Sequence, residues 1–378
     1  MAGSTTDGTA LAEMILAQGH SSYAPWLDRG PHLDLVERRA LPEVRAEAWR
    51  HTNVARWYQA ILEGSEPARE AHRIENPAEV EVVDFADPRA AELQEQRGEE
   101  TYRLTAQPIA ALNALLLGAG IAIRVPAGCA AREPVRIFDL PAAYQRVLVI
   151  IEPDARIELI EEPSTYTHRL VEVVVRPGGQ LVHRRLQAAS SHRECSLLAI
   201  RAEARACYEL SQLSLGSDLR RNDIIATLAG NAANVSLRGA WRLDESRHLD
   251  NQIAVHHQAP GGTSRQTYRG VAAGRSRAVL NGRIEIAPGA QQSDATLNTK
   301  NLLASDTAEI YAKPELEIYA NDVKCSHGAT VGAIDAEAVN YFRTRGIDEH
   351  TARALFVRGF LREAIDDPDT AQTLGLIQ

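Results

Sequence analysis

The chain has 378 residues, a formal charge of −9 and an isoelectric point near 5.8, an acidic balance that offers no electrostatic footprint for nucleic acid. Its length exceeds the ~250 residues at which a single hydrophobic core stops growing, so two or three structural units are expected, or a solenoid. Apolar residues make up 44% and aromatics only 5%, which suits thin repeated layers of Leu, Val, Ile and Ala better than a core of large anchors.

The opening MAGSTTDGTA has neither a basic region nor an apolar core, so it does not read as a secretory signal. The longest apolar run, Ile109 to Ile123, is too short to span a bilayer and contains Asn113. Neither a membrane nor nucleic acid is expected as a partner. Cys129, Cys195, Cys207 and Cys325 show no framework spacing and no CxxC pair. Reduced thiols and a cytoplasmic location are the expectation.

In chain order, Leu11, Met14 and Ile15 predict a short helix from near Thr6, ended by Gly19 and Ser21-Ser22. Trp26 and Trp49 read as packing between helices. The polar stretch Glu63 to Glu100, with Pro67, Pro77 and Pro88, reads as a partly irregular connector, so residues 1–100 are expected to form an N-terminal helical region and connector. Pro108 opens a second helix, stopped by Gly118 and Gly120, and Ile121–Val125 resumes as an alternating strand.

A repeat then decides the architecture. Four times an apolar strand is followed by a polar break and a small residue that opens an alternating segment. The small residues are Ala155, Gly179, Ala206 and Ala233, spaced by 24, 27 and 27, about one coil of a β-solenoid. An antiparallel sandwich would place hairpin dipeptides between strands, and Asn281-Gly282, the one such pair noted, lies outside the array. The expected fold is mainly β: a right-handed parallel β-helix over 101–332, with helical regions at both ends.

The stretch Pro314 to Gly332 alternates with period 2, and its extension through Asn321–His327 puts Val323, Cys325 and His327 on one side of a strand. A thiol and an imidazole, both ligands for iron or zinc, thereby meet where that strand is expected to end. Taken alone, such a pair reads as a buried thiol beside a hydrogen-bonded His, because a structural zinc site needs about four ligands. Asn321 and Asp322 read as turn formers. Adjacent His256 and His257 face opposite ways on a strand and read as structural. Cys129, Cys195 and Cys207 read as buried or incidental. Over 333–378, Asp335 and Asp348 cap two helices, the second with a stripe including Leu355, Phe356 and Phe360, and residues 366–378 read as frayed.

The wording Asn298-Thr-Lys-Asn301-Leu-Leu303, Pro314-Glu-Leu-Glu-Ile318, Asn321-Asp-Val-Lys-Cys-Ser-His-Gly-Ala-Thr330 and Tyr341-Phe-Arg-Thr-Arg-Gly346 closely resembles the SufB/SufD family of iron–sulfur cluster assembly scaffold proteins, most of all its SufD branch. Glu47-Ala-Trp-Arg-His-Thr52 is similar to a signature near the start of SufD-type proteins, with His51 in place of a Tyr. The resemblance implies a β-helix core and a non-catalytic scaffold subunit. It would pair with a SufB-like partner, or with itself when isolated, and bind a SufC-like ABC ATPase through the C-terminal helices, with Leu355, Phe356 and Phe360 at that contact. A transient iron–sulfur cluster or iron would form at the subunit interface. His327 would serve as a neutral imidazole ligand needing an acceptor for its other nitrogen, and Cys325 as a thiolate of lowered pKa. A flavin is possible but unreadable. No Walker loop occurs, so ATP hydrolysis is not expected of this chain.

Two other readings stand beside this one. The chain could be SufB-like, or a homodimeric scaffold that builds the cluster itself. It could also be a β-helix hydrolase, but that needs a paired-carboxylate groove, and the cluster Glu158, Glu161 and Glu162 reads as a solvated face.

Overall fold

The computed structural model describes residues 6–18, 21–37, 41–42, 46–63, 73–97, 108–365, 367–373 and 375–376. Helices α1 (Thr6–Gln18), α2 (Gly30–Glu37) and α3 (Val54–Leu62) precede two short strands, β1 (Arg73–Glu75) and β2 (Glu81–Asp84), and then α4 (Arg89–Glu95) and α5 (Pro108–Leu116). The solenoid follows as β3 (Ala119–Val125), β4 (Val135–Asp139), β5 (Tyr144–Ile151), β6 (Arg156–Glu161), β7 (His168–Val175), β8 (Gln180–Gln187), β9 (Arg193–Ala202) and β10 (Cys207–Ser214). It continues through β11 (Leu219–Leu228), β12 (Asn234–Leu243), β13 (His248–His257), β14 (Thr263–Ala272), β15 (Arg277–Ile286), β16 (Asp294–Leu303), β17 (Glu309–Ile318) and β18 (Lys324–Ala333). Helices α6 (Ala336–Thr344), α7 (Glu349–Arg362) and α8 (Pro368–Thr373) follow.

The strands form two nine-stranded sheets, β1-β4-β6-β8-β10-β12-β14-β16-β18 and β17-β15-β13-β11-β9-β7-β5-β3-β2. The chain swaps sheets at every strand from β3 on, so like strands of successive coils pair in parallel. This is the parallel β-solenoid expected. Its register repeats the small-residue spacing: Arg156 pairs with Gln180, Gln180 with Cys207 and Cys207 with Asn234. Asn281 and Gly282 lie within β15 and pair in parallel with Gln252 and Ile253, so no hairpin forms there.

One corner of the coil explains the small residues. Asp154, Gly178, Arg205, Ala232 and Gly261 all have φ between 56° and 72°, the left-handed region. Each donates its backbone N–H to a carbonyl of the next coil: Asp154 to Pro177 (3.1 Å), Gly178 to Ala204 (3.0 Å), Arg205 to Asn231 (2.9 Å), Ala232 to Pro260 (3.0 Å) and Gly261 to Gln291 (2.9 Å). The following residue turns inward, and at three of these corners it is a fully buried alanine: Ala155, Ala206 and Ala233. Between the sheets, residues such as Val149, Leu159, Val173, Ile200, Leu210 and Leu237 form one continuous core. Stacking is what buries it, since no coil could do so alone.

Helices cover the outer face of the second sheet. Trp57 is fully buried and donates Nε1–H to the Thr167 carbonyl at 3.1 Å. Trp49 stacks on Trp57, with the Arg221 guanidinium 3.9 Å from its ring centroid. Trp26 packs as well, edge-on to Phe85 in the turn after β2 rather than between two helices. This cover explains why β5 is buried on both faces and reads as an unbroken apolar run. On the first sheet, α7 buries Leu361 with Ala364 against Leu213, Ala240 and Val271. Glu363 fixes it by accepting from Arg269 Nε at 2.7 Å. Asp335 and Asp348 cap α6 and α7 through their side chains, as expected.

Two expectations need revision. The polar stretch 63–100 contributes β1 and β2, which close the first end of the solenoid by antiparallel pairing with β4 and β3; its residues 64–72 and 98–100 lie outside the described residues. Residues 367–373, 375 and 376 are not frayed: Ala371 and Leu376 are fully buried beneath α7, an apolar anchorage that outweighs the polar look of the tail. Among the described residues no helix is long and apolar enough to cross a membrane.

Ala232 holds a left-handed conformation that costs an L-residue about 1–2 kcal/mol, against about 0.4–1 kcal/mol of extra unfolded-state entropy for glycine. Ala232→Gly is therefore expected to raise stability by about 0.5–1 kcal/mol, and Ala206→Leu, overpacking a sealed corner, to lower it by about 1–3 kcal/mol. Denaturant midpoints of both variants check the pair of signs.

Candidate functional site at the open end of the solenoid

The strand expected to run from Pro314 to His327 is two strands. β17 ends at Ile318, the chain bends through 319–323, and β18 begins at Lys324 in the opposite sheet. The bend continues the corner of the coil beneath. Asp322 N–H donates to Gln291 Oε1 at 3.0 Å, and Gln292 N–H donates to the Asp322 carbonyl at 2.6 Å. Asp322 thus serves the turn, and Cys325 and His327 open the last strand rather than close the one before. Period-2 alternation persists across a corner, which is why the break was illegible.

Register fixes where the two side chains go. Cys325 pairs with Ala295 and His327 with Leu297, both fully buried between the sheets. Cys325 and His327 therefore occupy the same inward-facing columns one coil further on, roughly 7 Å apart at Cα on one face of the strand. Cys325 packs half-buried with Ile284, Ile286, Ala295 and Leu297. His327 is exposed, for no further coil lies above it among the described residues. The inward columns of a solenoid end in a sulfur and a nitrogen donor.

The local electrostatics differ from the expectation. Burial raises the Cys325 pKa, and the Asp294 carboxylate raises it further, so the thiol is held above its ordinary value rather than below. A cation must supply what the protein withholds before Cys325 is a thiolate. The acceptor expected for the second His327 nitrogen is not found among the described residues. Nor is a cluster of three or more His, Cys, Asp or Glu side chains placed to hold a metal. Two donors make half of a four-coordinate site.

The last coil also gathers exposed apolar side chains: Tyr311, Ile318, Tyr319 (60% exposed) and Val331. β17 and β18, each of ten residues, are the terminal strands of their sheets, so both end in free edges among the described residues. The N-terminal region reaches this coil. His51 stacks on Tyr311 with centroids 3.8 Å apart, and Lys313 Nζ lies 2.5 Å from both Glu47 Oε1 and Glu315 Oε1. A cleft of about 730 Å³ opens there, with Arg50, Asn281 and Val331 in its lining. Sequence reasoning missed this link, whose only signal was the segment Glu47–Thr52. Thr52 itself is buried, donating to Asp250 Oδ2 at 2.6 Å.

The other cysteines lie elsewhere. Cys195 is buried under α3, while Cys129 and Cys207 are half-buried, and none of the four is in a disulfide. His257 is buried, 2.9 Å from Ser264 Oγ, while His256 faces Glu285 on the outside. The solvated-face reading fails for Glu161. It shares the phase of Ile157 and Leu159 and points inward, to Arg169, His183 and Arg185. Of the helix stripe, Phe360 turns toward the solenoid, Phe356 is half-buried and Leu355 is 43% exposed.

Comparison with known proteins bears on this geometry. The family model described as SUF system FeS cluster assembly, SufBD core domain, matches residues 138–360. The chain is 32% identical over 267 residues to protein ABCI7, chloroplastic, of Arabidopsis thaliana, covering 65% of this chain and 56% of that one. It is 35% identical over 161 residues to the iron–sulfur cluster assembly protein SufD of Escherichia coli, 42% of this chain and 38% of that one. An iron–sulfur cluster assembly SufBD family protein of Mycobacterium tuberculosis is 28% identical over 355 residues, 87% and 86% of the two chains. The match thus spans less than two thirds of the Arabidopsis and Escherichia proteins.

Because Asp294 disfavours the thiolate, Asp294→Asn is expected to shift the pH profile of Cys325 alkylation to lower pH, leaving Cys129 unchanged. Site-resolved mass spectrometry after iodoacetamide labelling reads both; an unmoved or raised Cys325 profile contradicts the assignment.

Proposed function

We propose a function from one established premise: the chain belongs to the SufBD family of iron–sulfur cluster assembly proteins. On our reading it is a SufD-like scaffold subunit whose last coil offers Cys325 and His327 to iron and sulfide, the cargo of assembly. The observation that carries this reading is the pair of donors at the top of the inward columns of an uncapped coil. A solenoid end needs a cap to keep its core from water. Here the cap-less end has two free strand edges and exposed Tyr319 and Val331, features that suit docking of another subunit.

The partner we propose is a SufB-like scaffold of the same solenoid class, laid edge to edge on β17 and β18. It would supply the ligands that this chain lacks and the acceptor for the free His327 nitrogen. Iron binding would then displace the Cys325 proton, overcoming the effect of burial and Asp294. Two copies of this chain could meet in the same way in the absence of the partner. On this reading the chain supplies ligands and is a non-catalytic scaffold. A SufC-like ABC ATPase would dock on α6 and α7, where Leu355 is exposed, Phe356 is half-buried and Phe360 packs toward the solenoid. The work is proposed to take place in the cytoplasm.

The test is co-expression with the SufB-like and SufC-like chains of the same cell, followed by purification and iron and sulfide analysis. His327→Ala is expected to leave the complex intact and lower bound iron severalfold; wild-type iron content removes His327 from the site. A cluster assembled on this chain alone would favour the homodimeric scaffold instead. Leu355→Asp is expected to leave the thermal midpoint within about 0.5 kcal/mol equivalent of wild type, as for an exposed position, while weakening ATPase co-purification at least tenfold. Undiminished binding would place the ATPase on another surface.

A further inference from the structure

Midway along the solenoid the space between the sheets changes character. Glu161 on β6 and His183 and Arg185 on β8 continue the inward phases of Leu159 and Leu181, and Arg169 enters from β7. All four are almost wholly buried. Glu161 lies 3.0 Å from Arg169 Nη1, 2.9 Å from His183 Nε2 and 2.7 Å from Arg185 Nε.

The charges do not balance. Arg220, on the same side, is closed by Glu194 at 2.6 Å, and Glu162, which also lines this space, is closed by Arg136 at 2.6 Å. Two guanidiniums, Arg169 and Arg185, are left to share one carboxylate. His183 does not correct this. Burial lowers its pKa, and as a neutral ring it donates Nε2–H to Glu161 and accepts at Nδ1 from the Tyr208 hydroxyl at 2.8 Å. One positive charge is left over among side chains that are almost wholly buried, an unfavourable arrangement in a protein interior.

Geometry locates it. Arg169 is saturated by Glu161, Gln145 and Ser164. Arg185 is not: its Nε approaches Glu161 without a hydrogen bond, and its buried Nη1 has no acceptor. Beside it is a cavity of about 10 Å³ lined by Arg169, Arg185 and Arg220 together with the paired carboxylates Glu161 and Glu162, Ser164 and Gln187, room for one occupant the size of a water or a monatomic ion. A second donor goes unmet in the same inward column. Arg185 pairs with Gln212, Gln212 with Gly239 and Gly239 with Tyr268. The Tyr268 ring lies over Gly239, where a Cβ would come 2.4 Å from its Cε1, and its buried hydroxyl has no partner.

We propose that this cavity binds a small monovalent anion, of chloride size, held by Arg185 and neutralising the excess charge inside the solenoid. The site is independent of Cys325 and His327, so its fate says nothing of theirs. Crystals of the full chain soaked in sodium bromide and measured at the bromine edge test it. An anomalous peak in contact with Arg185 Nη1 is expected, retained in Arg185→Lys and absent in Arg185→Gln, which restores one guanidinium to one carboxylate. In solution, the wild-type thermal midpoint is expected to rise by roughly 2 °C per tenfold increase in bromide over gluconate at constant ionic strength, with no bromide-specific rise in Arg185→Gln. A cavity holding only water, bromide found only on the outer surface, or a peak that survives in Arg185→Gln overturns the proposal. The wild-type crystal decides the matter even where Arg185→Gln fails to fold.

Discussion

The hydrogen-bonded corner is the constraint on which the rest of the molecule depends. From Asp154 to Gln292 a left-handed residue recurs at the same place in successive coils, its N–H handed to the coil beyond. That bond fixes the stacking direction and register together, because a slip of one residue would turn every inward side chain outward. It also limits the corner to small residues next in sequence, while the remainder of the coil is free to lengthen. The coil grows from 24 residues between Arg156 and Gln180 to 30 between Asp294 and Lys324 without losing its ladder.

Fixed register gives the molecule polarity. At the first end antiparallel β1 and β2 close the edges of the two sheets, while α4 packs Leu93 and Ala90 with Phe85 on the outer face of the second sheet. Among the described residues the last end has no closing strands, and the columns that carry Leu237 and Val235 in midcourse arrive there as His327 and Cys325. Donor chemistry is thus delivered by the same alternation that builds the core. The raised thiol pKa follows from the same placement: a half-buried sulfur with the Asp294 carboxylate nearby is held toward its protonated form.

Much of this was legible in the residues. The spacing of Ala155, Gly179, Ala206 and Ala233 is the register itself, since those positions line the tight corner and only small side chains fit. The capping roles of Asp335 and Asp348 follow from local chemistry alone. What escaped depended on contacts distant in sequence. The turn chemistry of Asn321-Asp322 was readable, but not that the turn separates two strands of opposite sheets, because its partners, Gln291 and Gln292, lie a coil away. Glu161 was misplaced through composition, although its phase with Ile157 and Leu159 was a readable sign that it points inward. Leu376 is buried by a helix far from it in the local pattern, so its tail looked loose.

The free edges of β17 and β18 have a consequence for the cell as well as for chemistry. Two ten-residue rows of open backbone groups, beside Tyr319 and Ile318, form a template for any extended polypeptide. A chain synthesised in excess of whatever covers that face would present the template to its own unfolded siblings. Production matched to that of the proposed partner would keep this template covered, a demand written into the geometry of a single unfinished coil.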